Sequence, residues 1–275
     1  MSIDLEETMD VVVNESPLIN AITNAVTVND VAQIILHWGG LPVMADDERE
    51  VSDMVAASEA CLLNMGTVSE AGETTMITAG RAANEADVPV VVDPVGVGST
   101  PTRDHVATRL VTELDVALLN GNYGEITALT GDDATVRGVE SVGEYRDIAT
   151  TAVACAREYD TVVVASGETD IVATPERAYE VTAGHPQMGT VVGTGCMLGG
   201  SLATIAGALD DPERAALAGT VAFGLAGEAA AAGAFGDVHG PGSYSVAFKD
   251  AVAGVRDTAT DPADDRIELV IEPSG

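Results

Sequence analysis

Short apolar runs that close on polar or glycine punctuation constrain this chain more than any other feature. Leu18 to Thr23, Leu41 to Ala45, Cys61 to Asn64, Val88 to Asp93, Val116 to Asn120 and Thr161 to Ser166 are rich in Val, Ile and Leu and read as buried strands. Between them Asn29 to His37, Ser69 to Ala86, Arg103 to Glu113 and Gly143 to Arg157 carry helical spacing. Such alternation builds a parallel sheet with helices on both faces. After Ser166 the pattern changes. Ile171 to Ala173 and Ala178 to Val181, separated by Thr174-Pro175-Glu176-Arg177, read as a β-hairpin, and the chain is then helical from about Gly195 to Ala253. Arg266 to Ile271 supplies a last strand across the acidic segment Thr258 to Asp265.

The expected fold class is α/β, with one domain over residues 1–275, since neither a linker of boundary length nor an internal repeat interrupts the pattern. A chain of 275 residues, 46% hydrophobic, can bury one large core. With 3% aromatics and 29 glycines that core must be built from close-packed Ala, Val, Leu and Ile, which suits a helix-covered parallel sheet.

Forty-four acidic against 12 basic residues give a formal charge of −32, which disfavours nucleic acid and anionic membrane as partners. The acids are spread between apolar segments, and Lys249 is the sole lysine, a surface that looks adapted to high salt. Cys61, Cys155 and Cys196 are odd in number and form no CxxC pair, so neither a disulfide framework nor a zinc site is expected. An acidic start without an apolar stretch argues against a signal peptide. The expected location is the cytoplasm.

Open α/β sheets bind ligands at the carboxyl ends of their strands. Here those ends read Thr23-Asn24, Met44-Ala45-Asp46, Asn64-Met65-Gly66-Thr67, Asp93-Pro94-Val95-Gly96-Val97-Gly98, Asn120-Gly121-Asn122 and Ser166-Gly167-Glu168, one rim of the sheet. Gly193-Thr194-Gly195-Cys196 leads glycines straight into a helix, whose free N–H groups suit an anion. A tight turn with Cys196 as small core filling explains the same residues. Asp93 should project from a strand end into a cleft. Glu125 stands three residues after Asn122, which is also capping-box spacing. Magnesium takes one or two carboxylates plus waters and phosphate oxygens. Ser166 can receive a phosphate or simply turn the chain, Met44 and Gly66 can line an apolar pocket with a polar end, and His185 lies in a loop before the glycine turn. With its one lysine at 249 the chain has no GxxxxGK[ST], which excludes a P-loop NTPase, and no GxGxxG or HExxH appears.

These residues, in this order, make the chain resemble the hydroxyethylthiazole kinase family of the ribokinase-like superfamily. The resemblance rests on Ser16-Pro17-Leu18-Ile19 with Ile22-Thr23-Asn24, Gly40-Leu41-Pro42-Val43-Met44, Asn64 to Thr67, Asp93 to Gly98, Asn122 to Glu125, Ser166-Gly167, and Gly184-His185-Pro186 leading to Gly193-Thr194-Gly195-Cys196. It implies a three-layer αβα fold with a mostly parallel central sheet, and transfer of the ATP γ-phosphoryl group to the hydroxyl of 4-methyl-5-(2-hydroxyethyl)thiazole with Mg²⁺, in thiazole salvage for thiamine. By the same resemblance, substrate contacts fall on Met44, Gly193, Asn24 and Gly66, nucleotide contacts on Ser166 and Asn120, and metal on Asp93 and Glu125. The catalytic turn is then Gly193, Thr194, Gly195 and Cys196, and the assembly a homotrimer with sites at subunit interfaces. Asn120 stands where the family often has Arg, and Asn20 where many members have His. Cys196 occupies the place of the superfamily's Asp base; a thiol, near ~8.5 when free, is expected to fall at a helix N-terminus and to accept the alcohol proton. Other readings are a kinase for a different small alcohol, a transferase or hydrolase with Cys196 as nucleophile, activated by its helix start or by His185, and a ligand-binding protein without catalysis.

Overall fold

The computed structural model describes residues 3–131, 136–137, 140–141, 147–258 and 263–273. The chain runs α1 (Leu5–Glu15), β1 (Leu18–Ile22), α2 (Val28–Trp38), β2 (Leu41–Val43), α3 (Val51–Ala56), β3 (Ala60–Asn64), α4 (Glu70–Glu85), β4 (Val90–Asp93), α5 (Pro101–Glu113), β5 (Leu118–Asn122) and α6 (Tyr123–Leu129). After the short ribbon β6 (Val136–Arg137) and β7 (Glu140–Ser141) come α7 (Ile148–Tyr159), β8 (Val162–Ser166), β9 (Asp170–Ala173), β10 (Ala178–Val181), α8 (Thr194–Ala206), α9 (Pro212–Ala231), α10 (Pro241–Thr258) and β11 (Ile267–Ile271).

Nine of these strands form one sheet in the order β11-β10-β9-β8-β5-β4-β3-β1-β2. From β2 to β8 every pairing is parallel, while β9, β10 and β11 close the edge antiparallel. Alternation along the buried strands sorts the core to two faces. Ala60 and Leu62 of β3 pack with α2, α8, α9 and α10, while Cys61 and Leu63 pack with α3, α4, α5 and α7. The expected αβα layers and the antiparallel hairpin are therefore present.

Local chemistry sets the helix ends. Ser69, Thr100 and Asp147 accept first-turn N–H groups, and Asp211 accepts those of Glu213 and Arg214, each such cap being worth ~1 kcal/mol. The long helical stretch after Gly195 is three helices, because Asp211-Pro212 restarts the chain after α8 and a Gly-rich turn parts α9 from α10. The helix expected from Gly143 begins at Ile148; residues 143–146 lie outside those described. Two helices, α1 and α3, arise where no element was expected, α1 burying only the narrow stripe Leu5, Thr8, Met9 and Val12. Cys61, Cys155 and Cys196 are free and buried, and no helix among the described residues is long and apolar enough to cross a membrane.

Candidate functional site

The carboxyl ends of β1, β3, β4, β5 and β8 open on the same side, where α8 enters. This helix packs across β1, β3, β4 and β5, so its first turn lies over the strand ends. Gly193 precedes it at φ +87, and a Cβ there would fall 2.3 Å from Thr27 Cγ2, so the turn demands glycine twice over. The Thr194 hydroxyl lies 2.8 Å from the carbonyls of Met188 and Val191, either of which can accept its proton. At Gly199 a Cβ would stand 3.2 Å from Asp93 Oδ2 and 3.4 Å from Asn120 Nδ2; the helix runs directly above both. The first-turn N–H groups have no intrahelical partners and carry the positive end of the dipole.

Beneath that turn lies a chain of buried amides. Asn64 Nδ2 donates to Asp93 Oδ2 at 2.6 Å, and Asn64 Oδ1 accepts from Asn24 Nδ2 at 2.9 Å and from the Gly66 N–H at 3.0 Å. Asn24 Nδ2 also reaches Thr27 Oγ1 at 2.8 Å and Cys196 Sγ at 3.4 Å, two protons among three acceptors. Asp93, 3% exposed, has its carboxyl pushed well above the usual range by burial and by the charge of Glu125, against the opposing amides of Asn64 and Asn120. Cys196, 8% exposed, is raised to about 11 by burial and then by Asp93. The expected depression of the thiol is thus reversed: desolvation outweighs the helix terminus. Among the described residues its sulfur meets Asn24, Asn64, Thr27 and Asp93, while His185 lies in the neighbouring cleft.

Glu125 fulfils the capping-box spacing. Its backbone N–H donates to Asn122 Oδ1 at 3.0 Å, Oε2 accepts the Asn122 N–H at 2.8 Å, and Oε1 accepts the Gly96 N–H at 2.6 Å. Burial lifts its carboxyl to about 7 in spite of those donors. A capping role and a rim role coincide in this residue, since the same carboxylate ties the loop after β4 to the start of α6. Asn120 donates to the Gly195 carbonyl at 3.2 Å, while its Oδ1 is buried without a partner. It thus reaches the α8 turn and is absent from the lining of the cleft that holds Ser166. Hard oxygen donors and a vacant amide acceptor beside Asp93 fit a divalent cation that keeps waters, and among the described residues no group of three His, Cys, Asp or Glu makes a closed metal cage.

On the antiparallel side, a cleft of about 560 Å³ is lined by Ser166, Gly167, Asp170, Gly184, His185 and Met188 together with Thr194 and Gly195. Ser166 Oγ donates weakly to the Gly121 carbonyl at 3.4 Å. Asp170, half-buried, accepts the Gly167 N–H at 2.9 Å, and burial raises its carboxyl to about 7. His185 caps the short 3-10 turn Pro186–Thr190, its Nδ1 accepting from Gln187 at 3.3 Å.

Met44 packs half-buried on the core beside Ala45, whose N–H and carbonyl are both held by Asn20 at 3.2 and 3.3 Å. Asn20 is fully buried, so it supports the Met44 loop from below. Gly66 fits because a Cβ would meet Asn24 Nδ2 at 2.7 Å. Sequence reasoning missed Arg103, whose guanidinium binds the carbonyls of Met65 at 3.1 Å, Gly66 at 2.9 Å and Val95, locking the loops after β3 and β4 together. One signal was available: a basic residue in the first turn of a helix opposes the dipole and needs another reason to be there.

The chain matches the hydroxyethylthiazole kinase family over residues 9–257. It is 64% identical over 272 residues to a hydroxyethylthiazole kinase of Natronomonas pharaonis, covering 98% of this chain and 97% of that protein. A solved hydroxyethylthiazole kinase from Pyrococcus horikoshii superposes with a TM-score of 0.85 at 31% identity, over 97% and 98% of the two chains. A ribokinase-like protein from Enterococcus faecalis, 11% identical, shares the fold alone, at a TM-score of 0.63 over 90% and 94%. With the family match spanning α1 to α10 and the rim residues gathered at one helix start, this chain belongs to the hydroxyethylthiazole kinase family.

Proposed function

We propose that this protein transfers the γ-phosphoryl group of ATP to the hydroxyl of 4-methyl-5-(2-hydroxyethyl)thiazole, in thiazole salvage for thiamine. The observation that carries the reading is the place of one helix start. The first turn of α8 stands between the cleft of Ser166, Asp170 and His185 and the buried cluster of Asn24, Asn64, Asp93 and Cys196. Phosphoryl transfer asks for positioning and charge stabilisation, and backbone N–H groups over the reacting phosphate supply both. On this reading Gly193 to Cys196 receive the transferring group, Ser166 and the cleft hold the nucleotide, and Met44 meets the thiazole. Asn24 orients the Cys196 sulfur, which holds the alcohol oxygen by a hydrogen bond; a thiol raised to about 11 is a poor proton acceptor at neutral pH.

Asp93 and Glu125 are the residues that would hold Mg²⁺, which when bound neutralises charge on the phosphate oxygens. Residues 1–275 act as one domain, a reading supported by the sheet whose parallel and antiparallel parts both feed the site. A homotrimer with shared sites is supported by Val26 and Val192, each 73% exposed and flanking the Thr27 to Gly193 contact. The charge of −32 supports work in concentrated salt, in the cytoplasm.

The test is ADP release with Mg²⁺ and the thiazole alcohol in molar KCl, beside a panel of pyrimidine and pyridine alcohols. Alcohol-dependent ADP with the thiazole preferred is the expected result. Preference for another alcohol moves the substrate; thiazole binding without ADP removes catalysis altogether.

A further inference from the structure

The nucleotide side of the site is held by residues that the rim does not contain. Glu228, near the end of α9, spreads its carboxylate between two elements: Oε1 accepts the Gly184 N–H at 3.0 Å and Arg266 Nη1 at 3.1 Å, and Oε2 accepts Arg266 Nη2 at 3.0 Å. The same Nη1 donates to the Thr182 carbonyl at 2.9 Å, and the Arg266 carbonyl accepts the Thr182 N–H at 2.9 Å. Arg266 lies immediately before β11, beyond residues 9–257 that match the family.

Between these anchors the segment Thr182 to Met188 presses against α9. A Cβ on Gly224 would stand 2.5 Å from the Ala183 carbonyl carbon, and one on Gly227 would stand 2.3 Å from Met188 Sδ. The segment then runs into α8, where the Thr194 hydroxyl meets the Met188 carbonyl. Ala183, Gly184, His185 and Met188 are all cleft walls. One bidentate, half-buried ion pair therefore fixes the wall of the cleft at its backbone.

We propose that Arg266 and Glu228 are positioning residues for the nucleotide, the C-terminal strand setting affinity for a nucleoside triphosphate through the Thr182 to Met188 wall. This rests on the reading of the cleft as the ATP site. A guanidinium fork bridging a carboxylate and a carbonyl orders the wall before the ligand arrives, and preorganisation is expressed as affinity. Among the described residues, neither Arg266 nor Glu228 hydrogen-bonds Asn24, Asn64 or Met44.

The experiment uses the full chain in molar KCl and compares Arg266→Ala, Arg266→Lys, Glu228→Gln and the Arg266→Ala/Glu228→Gln double variant. KM for MgATP and for the thiazole alcohol is measured, with MgATP binding by calorimetry. The expected result is a KM and Kd for MgATP raised ~10-fold in Arg266→Ala, an alcohol KM within twofold of the parent, and a double variant no worse than the worse single, as a coupled pair requires. Arg266→Lys, which keeps charge but not the fork, should recover part of the loss and serves if the alanine variant fails to fold. Unchanged nucleotide affinity in the folded variants overturns the proposal, as does an equal rise in both KM values, which marks general loosening. A parent protein without alcohol-dependent ADP release instead overturns the kinase reading on which the proposal stands.

Discussion

The two sides of the site are built by different means. On the parallel side, around β1, β3, β4 and β5, buried side chains do the holding: Asn24, Asn64 and Asp93 are joined in series, and Arg103 locks the flanking loops. On the antiparallel side, beyond β8, what fixes the cleft wall is a half-buried ion pair and the close approach of Ala183 and Met188 to Gly224 and Gly227 of α9. Desolvated amides in a connected series lose much when one member is cut. Partly exposed ions are screened by salt. The parallel side should therefore be rigid and insensitive to salt, and the antiparallel side should answer to it. The α8 turn belongs to both.

A substitution at that shared turn should have the largest effect. Gly193→Ala forces a Cβ into Thr27 at a positive φ, and displacing the first-turn donors should cost kcat ~10²-fold or more, the scale of a lost oxyanion donor. Steady-state kinetics with circular dichroism checks it; a folded variant at near-parent kcat would mean the turn is not the transfer site.

The pH behaviour draws on both sides, Glu125 at the parallel rim and Asp170 in the antiparallel cleft. Asp170 and Glu125 both rise to about 7 through burial, from ordinary values of 3.8 and 4.5. The folded state then binds their protons more tightly than the unfolded chain, so their stabilising contribution is complete below pH about 4 and is lost as pH climbs through about 7. In molar KCl the Tm should fall from pH 5 to pH 8, and Asp170→Asn should flatten part of that slope. An Asp170→Asn slope equal to that of the parent would discard the desolvated carboxyl.

The smallest effect is expected at Cys196. A general base contributes ~10²–10⁴-fold, whereas a thiol raised to about 11 contributes a hydrogen bond. Cys196→Ala should accordingly keep kcat within ~10-fold of the parent, on the scale of one neutral hydrogen bond. A loss beyond ~10²-fold, with the fold intact, would restore the base role.

Much of this was legible beforehand because it is local. Period and punctuation located the strands of the sheet and the hairpin, and the spacing of Asn122 and Glu125 announced a capping box that the structure contains. The short α3 and the narrow apolar stripe of α1 gave too little period to read. The rim was legible as a set of strand ends, though not the aim of each side chain: Asn120 turns to the Gly195 carbonyl, and Asn20 supports Ala45 from beneath.

The amino-acid order alone determined a layered α/β sheet, the family, and a glycine turn at Gly193 to Cys196 among candidate acids and amides. Only the tertiary structure decided what those groups are chemically. Asn24 and Cys196 are 172 positions apart, Asn64 and Asp93 29, and Arg266 and Glu228 38. The thiol rose because burial and a neighbouring carboxylate act through space, and Arg266 gained a place beside the cleft wall because the last strand returns to the sheet edge. Hydrophobic period is written into neighbouring residues; desolvation and charge coupling exist only once distant ones have been packed together.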